Sequence, residues 1–148
     1  FECPFCSRVG PTMKQIEKEY GDKVRIVFMH QPLPFHANAQ VAAEASMAAH
    51  DQGKFWPMHD KLFANQKALS RPELEKYAQE LGLDMTKFKD ALDKGTFKDA
   101  VKKDSAVGHK VGAGGTPTFF INGRKLVGAQ PFDKFKMVID AELKAKGV

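Results

Sequence analysis

Phe1-Glu2-Cys3-Pro4-Phe5-Cys6 opens the sequence and contains both cysteines of the 148 residues. Two cysteines so close together close a loop too short to remove much chain entropy, so the pair is a poor structural staple. Its chemistry is the better reason for its presence. Pro4 suits the first turn of a helix, where its missing N–H is not needed. Behind it, Phe5, Val9, Met13, Ile16 and Tyr20 recur at helical spacing. Cys3 is thereby set before a helix N-terminus, where unpaired N–H groups and the positive end of the dipole favour a thiolate. The thiolate is the species that attacks a disulfide. Cys6, about one turn along the helix, is within reach of Cys3 to resolve a mixed disulfide and is expected to be the less exposed of the two.

The neighbours of the pair temper this chemistry. Phe5 offers the Cys3 sulfur neither a hydrogen bond nor a positive charge, which argues for a weaker oxidant than a motif with His in its place. Glu2 would disfavour the thiolate if it pointed that way, and as a single surface acid it is read as solvated. Other uses of two cysteines fit less well. Structural zinc takes four ligands, so His30 and His36 would have to join the pair. Pro32 and Pro34 prevent the helix that normally presents two such histidines. Haem attachment needs His after the second cysteine, where Ser7 stands. An iron–sulfur cluster normally takes four cysteines. The remaining histidines, His50, His59 and His109, read as helix-surface or buried-edge residues, and Trp56 with Phe55 and Phe63 reads as a packing cluster.

Further along, Gly10-Pro11 falls inside the first helical pattern and predicts a kink. Gly21 ends that helix. Val24–His30 reads VRIVFMH, mostly apolar on both faces, the pattern of a buried strand. After Pro32 and Pro34, an Ala-rich helix is predicted over 38–52 and another over Phe55–Ala64. Ser70-Arg71-Pro72-Glu73 is a capping box with Pro in the first turn, starting a helix that Gly82 stops. Asp84 caps a short helix to Asp93, and another covers Phe97–Val111. Gly112–Pro117 breaks regular structure. Thr118–Ile121 and Lys125–Val127 flank Asn122-Gly123 as a β-hairpin. Pro131 opens a final helix whose Phe132, Phe135, Ile139 and Leu143 face the core. The fold class is therefore mixed α/β, with an all-helical block between the first strand and the hairpin.

Hydrophobic residues make up 43% and charged residues 28%, an ordinary globular composition with room for one cored domain. The net charge of +5 is spread among acids rather than gathered in a basic stripe, so nucleic acid is not an expected partner. No apolar run approaches a membrane span. No signal peptide is visible in this chain.

Together with Phe-Glu-Cys-Pro-Phe-Cys, the stretches Pro32-Leu33-Pro34-Phe35-His36-Ala37-Asn38-Ala39, GKFWPMHDKLF at 53–63 and GTPTFFING at 115–123 resemble the DsbA-like thioredoxin family over nearly the whole chain. The resemblance implies a thioredoxin fold interrupted by a helical insertion: 1–37 and 106–148 thioredoxin-like, 38–105 the inserted domain. It implies catalysis of thiol–disulfide exchange by Cys3 and Cys6, with Pro4, Phe5 and a cis Pro117 shaping the site and the Thr116 backbone pairing with an extended substrate segment. No cofactor is implied beyond the Cys3–Cys6 disulfide, and no metal. Partners would be cysteine-containing substrate proteins and a redox partner protein, for a monomer in the periplasm or another extracytoplasmic compartment. Dithiol oxidation is the favoured direction. Reduction or isomerisation at the same site, or a non-catalytic C-x-x-C module binding metal or a partner, are the alternatives. Family members also place a central strand before the cysteines, between the counterparts of Val24–Met29 and Thr118–Ile121. Only Phe1 and Glu2 stand there, so that strand is expected to be missing from these residues or borrowed from another chain.

Overall fold

A computed structural model describes residues 1–148. Their contacts group them into two units. One comprises Phe1–Cys3 and Met29–Gly112, the other Pro4–Phe28 and Ala113–Val148.

The first unit is helical. Its helices are α2 (Ala39–Asp51), α3 (Phe55–Ala64), α4 (Arg71–Glu80), α5 (Met85–Asp93) and α6 (Lys98–Lys110). The Ala-rich α2 contacts each of the other four. Ala42, Ala45 and Ala49 are fully buried, and side chains this small let neighbouring helices approach closely. Met58, Leu62, Leu74 and Phe88 fill the space around them. Ser46, the one polar residue on that face, donates to Ala43 O at 2.7 Å and so leaves no hydroxyl unpaired. Local signals hold up closely. Glu73 accepts from the Ser70 N–H at 3.1 Å to close the capping box of α4, and Asp84 accepts from the Lys87 N–H at 3.0 Å.

The second unit contains α1 (Pro4–Tyr20), the hairpin β1 (Thr118–Ile121) and β2 (Arg124–Val127), and α7 (Phe132–Lys146). Helix α1 is continuous through Pro11. Asn122 and Gly123 both have positive φ, 48° and 90°, which a two-residue hairpin turn of this kind requires. Phe119 pairs with Leu126 across the hairpin. Their face of the hairpin packs with Val9, Ile16, Phe135 and Ile139, the rings of Phe119 and Phe135 meeting edge-on at 4.8 Å. Tyr20 OH donates to Asp140 Oδ1 at 2.6 Å, tying α1 to α7.

Two features of the sequence reading need correction. The sheet has two strands, and Val24–His30 is not one of them. The segment is not buried on both faces either: Val24 and Ile26 pack into the core of the second unit, but Val27 is 63% and Met29 50% exposed. An apolar run becomes a buried strand only where a neighbouring strand covers it and supplies its ladder partners, and residues 1–148 fold into no central strand here.

His30 ends that segment buried. Its N–H donates to Asp104 Oδ2 at 3.0 Å, and its carbonyl accepts from Ser105 Oγ at 3.3 Å. Burial pushes its imidazole down from 6.5 to about 4, against the opposing pull of Asp104. The unfolded chain therefore takes up a proton, as pH falls from about 6.5 to about 4, that the folded protein refuses. Stability should accordingly fall through that window, by up to roughly 3 kcal/mol from this group. Urea denaturation at neutral pH and near the lower end of the window checks this, and equal stabilities would contradict it.

Candidate functional site

Cys3 immediately precedes α1, and Pro4, Phe5 and Cys6 form its first turn. Both cysteines are thiols in the structure. Their exposures reverse the sequence expectation. Cys3 is 7% exposed, whereas Cys6 is partly open. Spacing along a helix gives no account of what covers the residue before it, and in the first unit residues 1–3 are drawn onto the helices. Gln66 Nε2 donates to the carbonyls of Phe1 at 2.8 Å and Cys3 at 2.9 Å. The Phe1 ring packs on Phe63, with centroids 5.0 Å apart, and on His59 at 5.9 Å.

Glu2 is also not a solvated acid. Its carboxylate accepts from the Asn38 N–H at 2.9 Å and from Asn38 Nδ2 at 3.2 Å. Asn38 is the residue before α2, so the negative charge sits at a helix N-terminus, where the dipole favours it. Phe5 is 51% exposed. The Arg8 guanidinium stands 5.0 Å from the centre of its ring, a cation–π contact that the three-residue spacing permits. A positive charge therefore lies on the first turns of α1, although not on either residue between the cysteines.

Thr116 and Pro117 lie at the entry to β1, and the peptide bond between them is cis. Pro117 is buried. Its carbonyl accepts from the Gly128 N–H at 2.9 Å, and Thr118 Oγ1 donates to Gly115 O at 2.7 Å. These bonds fix the backbone on both sides of the bend.

The histidines considered as metal ligands do other things. His30 lies among rings, 6.3 Å from Phe1 and 6.2 Å from Phe55, and the His36 ring is tilted against Phe35 with centroids 4.6 Å apart. No group of three or more His, Cys, Asp or Glu side chains converges closely enough to hold a metal ion. Of the expected cluster, Trp56 and Phe55 pack together with ring centres 5.0 Å apart, and Phe63 reaches them through His59, whose ring lies 4.9 Å from its own.

The family described as Thioredoxin matches residues 1–141. BdbD from Bacillus subtilis, solved in its oxidised form, superposes with a TM-score of 0.86 at 29% identity, over 97% of this chain and 83% of that one. The thiol-disulfide exchange protein alpha-DsbA2 from Wolbachia pipientis superposes with a TM-score of 0.83 at 19% identity, over 95% of this chain and 76% of that one. A curated relative, the Na(+)/H(+) antiporter NhaA of Herminiimonas arsenicoxydans, is 40% identical over 141 residues, 95% of this chain but 22% of that protein. The chain spans about a fifth of the length of the curated relatives it matches. No helix of the chain is long and apolar enough to cross a membrane. The chain belongs to the thioredoxin family, and its fold is that of the DsbA-like thiol–disulfide oxidoreductases, a thioredoxin fold with a helical insertion.

Proposed function

We propose that the chain exchanges disulfides with protein substrates through Cys3 and Cys6, and that its working direction is dithiol oxidation. The observation that carries this reading is the C-x-x-C pair at the start of α1 in a thioredoxin-family fold. Cys3 is the attacking sulfur. Its position directly before α1 offers it the unpaired first-turn N–H groups and the positive dipole end. As reductant, the Cys3 thiolate attacks a substrate disulfide, forms the Cys3–substrate bond and expels the second substrate sulfur as a thiolate. Cys6, as thiolate, then attacks Cys3. The enzyme disulfide forms and the substrate leaves as a dithiol. Oxidation runs the same steps backwards, with a substrate thiolate attacking the enzyme disulfide.

Pro4, Phe5 and Pro117 shape this site, and the Thr116 backbone pairs with an extended substrate segment. The inserted helical domain is taken as 38–105, within a thioredoxin-like 1–37 and 106–148. Cysteine-containing proteins are the substrates, and a separate redox protein restores the working oxidation state. No cofactor is invoked beyond the cysteine pair. The compartment is extracytoplasmic, where disulfides persist, and the chain acts as a monomer.

One observation favours a second assignment of roles. Cys6 is the more open residue, and access as well as thiolate character governs attack. Serine variants at the two positions separate the possibilities.

Direction is tested by equilibrating the protein with glutathione buffers and following the cysteine pair. An oxidase predicts a potential above about −200 mV, in the range of protein oxidants and isomerases. A value near thioredoxin's roughly −270 mV would replace oxidation with reduction.

A further inference from the structure

We propose that Gln66 is a positioning residue for Cys3, and that with the Glu2–Asn38 pair it forms a polar clasp that sets the direction of the Cys3 sulfur. The inference rests on the reading of Cys3 as the attacking sulfur.

Residues 1–3 have no regular secondary structure of their own. Side chains from residues 29–112 hold them at successive points. The Phe1 ring is packed on Phe63, the Glu2 carboxylate accepts from both the backbone N–H and the Nδ2 of Asn38, and the Phe1 and Cys3 carbonyls share the Gln66 amide. A carboxamide nitrogen has two N–H donors, and here each has a carbonyl. One side chain thus holds the carbonyls of residues 1 and 3 together. Sequence alone gives no hint of this, because Gln66 lies more than sixty positions from Cys3 and carries no motif.

The clasp is itself held. Gln66 follows the end of α3, where Asn65 Nδ2 donates to Lys61 O at 2.8 Å. The Ala68 N–H then donates to Asn65 O at 2.9 Å, and the Ala68 carbonyl accepts from Tyr77 OH at 2.7 Å. The turn carrying Gln66 is thus anchored to α3 on one side and α4 on the other. Asn38 is anchored by its own carbonyl, which accepts from the Ala42 N–H at 2.9 Å. Fixing the carbonyls of residues 1 and 3 limits the backbone torsions around Cys3, and the sulfur direction then depends on one side-chain torsion. Attack on a disulfide requires aligned sulfurs, and groups held ready for it avoid that ordering cost at each turnover.

The variant Gln66→Met keeps an unbranched side chain of similar length and removes both donors. In it, the second-order rate of Cys3 with oxidised glutathione should fall roughly tenfold. The pH midpoint of Cys3 alkylation, resolved by peptide mass spectrometry, should move as well, because the backbone torsions that set the sulfur direction are no longer fixed. Gln66→Glu, which matches the size of Gln and has no N–H donor, should act in the same direction at neutral pH and serves where Gln66→Met does not fold. A merely structural role would lower the melting temperature and leave the alkylation midpoint in place. A folded variant of either kind with the parental rate and midpoint overturns the proposal. Cys3→Ser, run alongside, separates the two levels. If it exchanges as fast as the parent, the assignment of Cys3 fails. If Cys3 is required and the Gln66 variants behave as the parent does, only the clasp fails.

Discussion

Serine at position 3 should lower the rate of disulfide exchange by on the order of 10³-fold or more, while serine at position 6 should stop the reaction one step later. A serine hydroxyl is the same shape as the thiol to within a fraction of an ångström, but near neutral pH it is neither ionised nor able to share a disulfide. Cys3 is the residue before α1, and Pro4 contributes no N–H, so the first-turn donors come from the residues that follow. With Cys6→Ser, attack by Cys3 proceeds and the mixed disulfide accumulates for lack of a resolving thiol. With Cys3→Ser, no first adduct forms. The measurements are the exchange rate with a model disulfide and the fate of each variant. If Cys6→Ser loses the first step and Cys3→Ser accumulates an adduct, the more open Cys6 is the attacking residue and the roles exchange.

The largest expected effect on stability lies away from the cysteines. Phe88 on α5 is fully buried, in the cluster with Ala42, Met58, Leu62 and Leu74. Phe88→Ala removes most of an aromatic side chain, and the alanines of α2 cannot spread to fill the space. Such truncations cost about 3–5 kcal/mol. In a protein of this size that lowers the melting temperature by roughly 10 °C. Urea denaturation of the variant gives the free energy directly. A loss below about 1 kcal/mol would mean that the helices close the gap, and that the Ala-rich spine is less rigid than its packing implies.

What the sequence made legible was local. Ser70 and Glu73, Asp84, Asn122-Gly123 and Pro131 each act through neighbours a few residues away, and the elements they bound lie within a residue or two of their predicted limits. What escaped depended on distant partners. Val24–His30 has strand composition, yet a strand exists only with its neighbour. Cys3 and Cys6 were ordered by helix spacing, but their exposures depend on what lies over residues 1–3. Glu2 has the sequence setting of an isolated surface acid, but Asn38, 36 positions away, supplies it with two donors. Arg8 over Phe5 was within reach of sequence reasoning, since the three-residue spacing on a helix brings the pair together. Gln66 was not, because a polar residue in a turn has no pattern that names the carbonyls it serves.

The proposed exchange depends on Cys3 as the sulfur that bonds to substrate. The most direct test is to incubate the Cys6→Ser protein with a disulfide-containing substrate and map the adduct by mass spectrometry. A reductant-sensitive adduct on Cys3, absent from Cys3→Ser, is the predicted result. No adduct on Cys3, under conditions in which the parent protein exchanges, would contradict it.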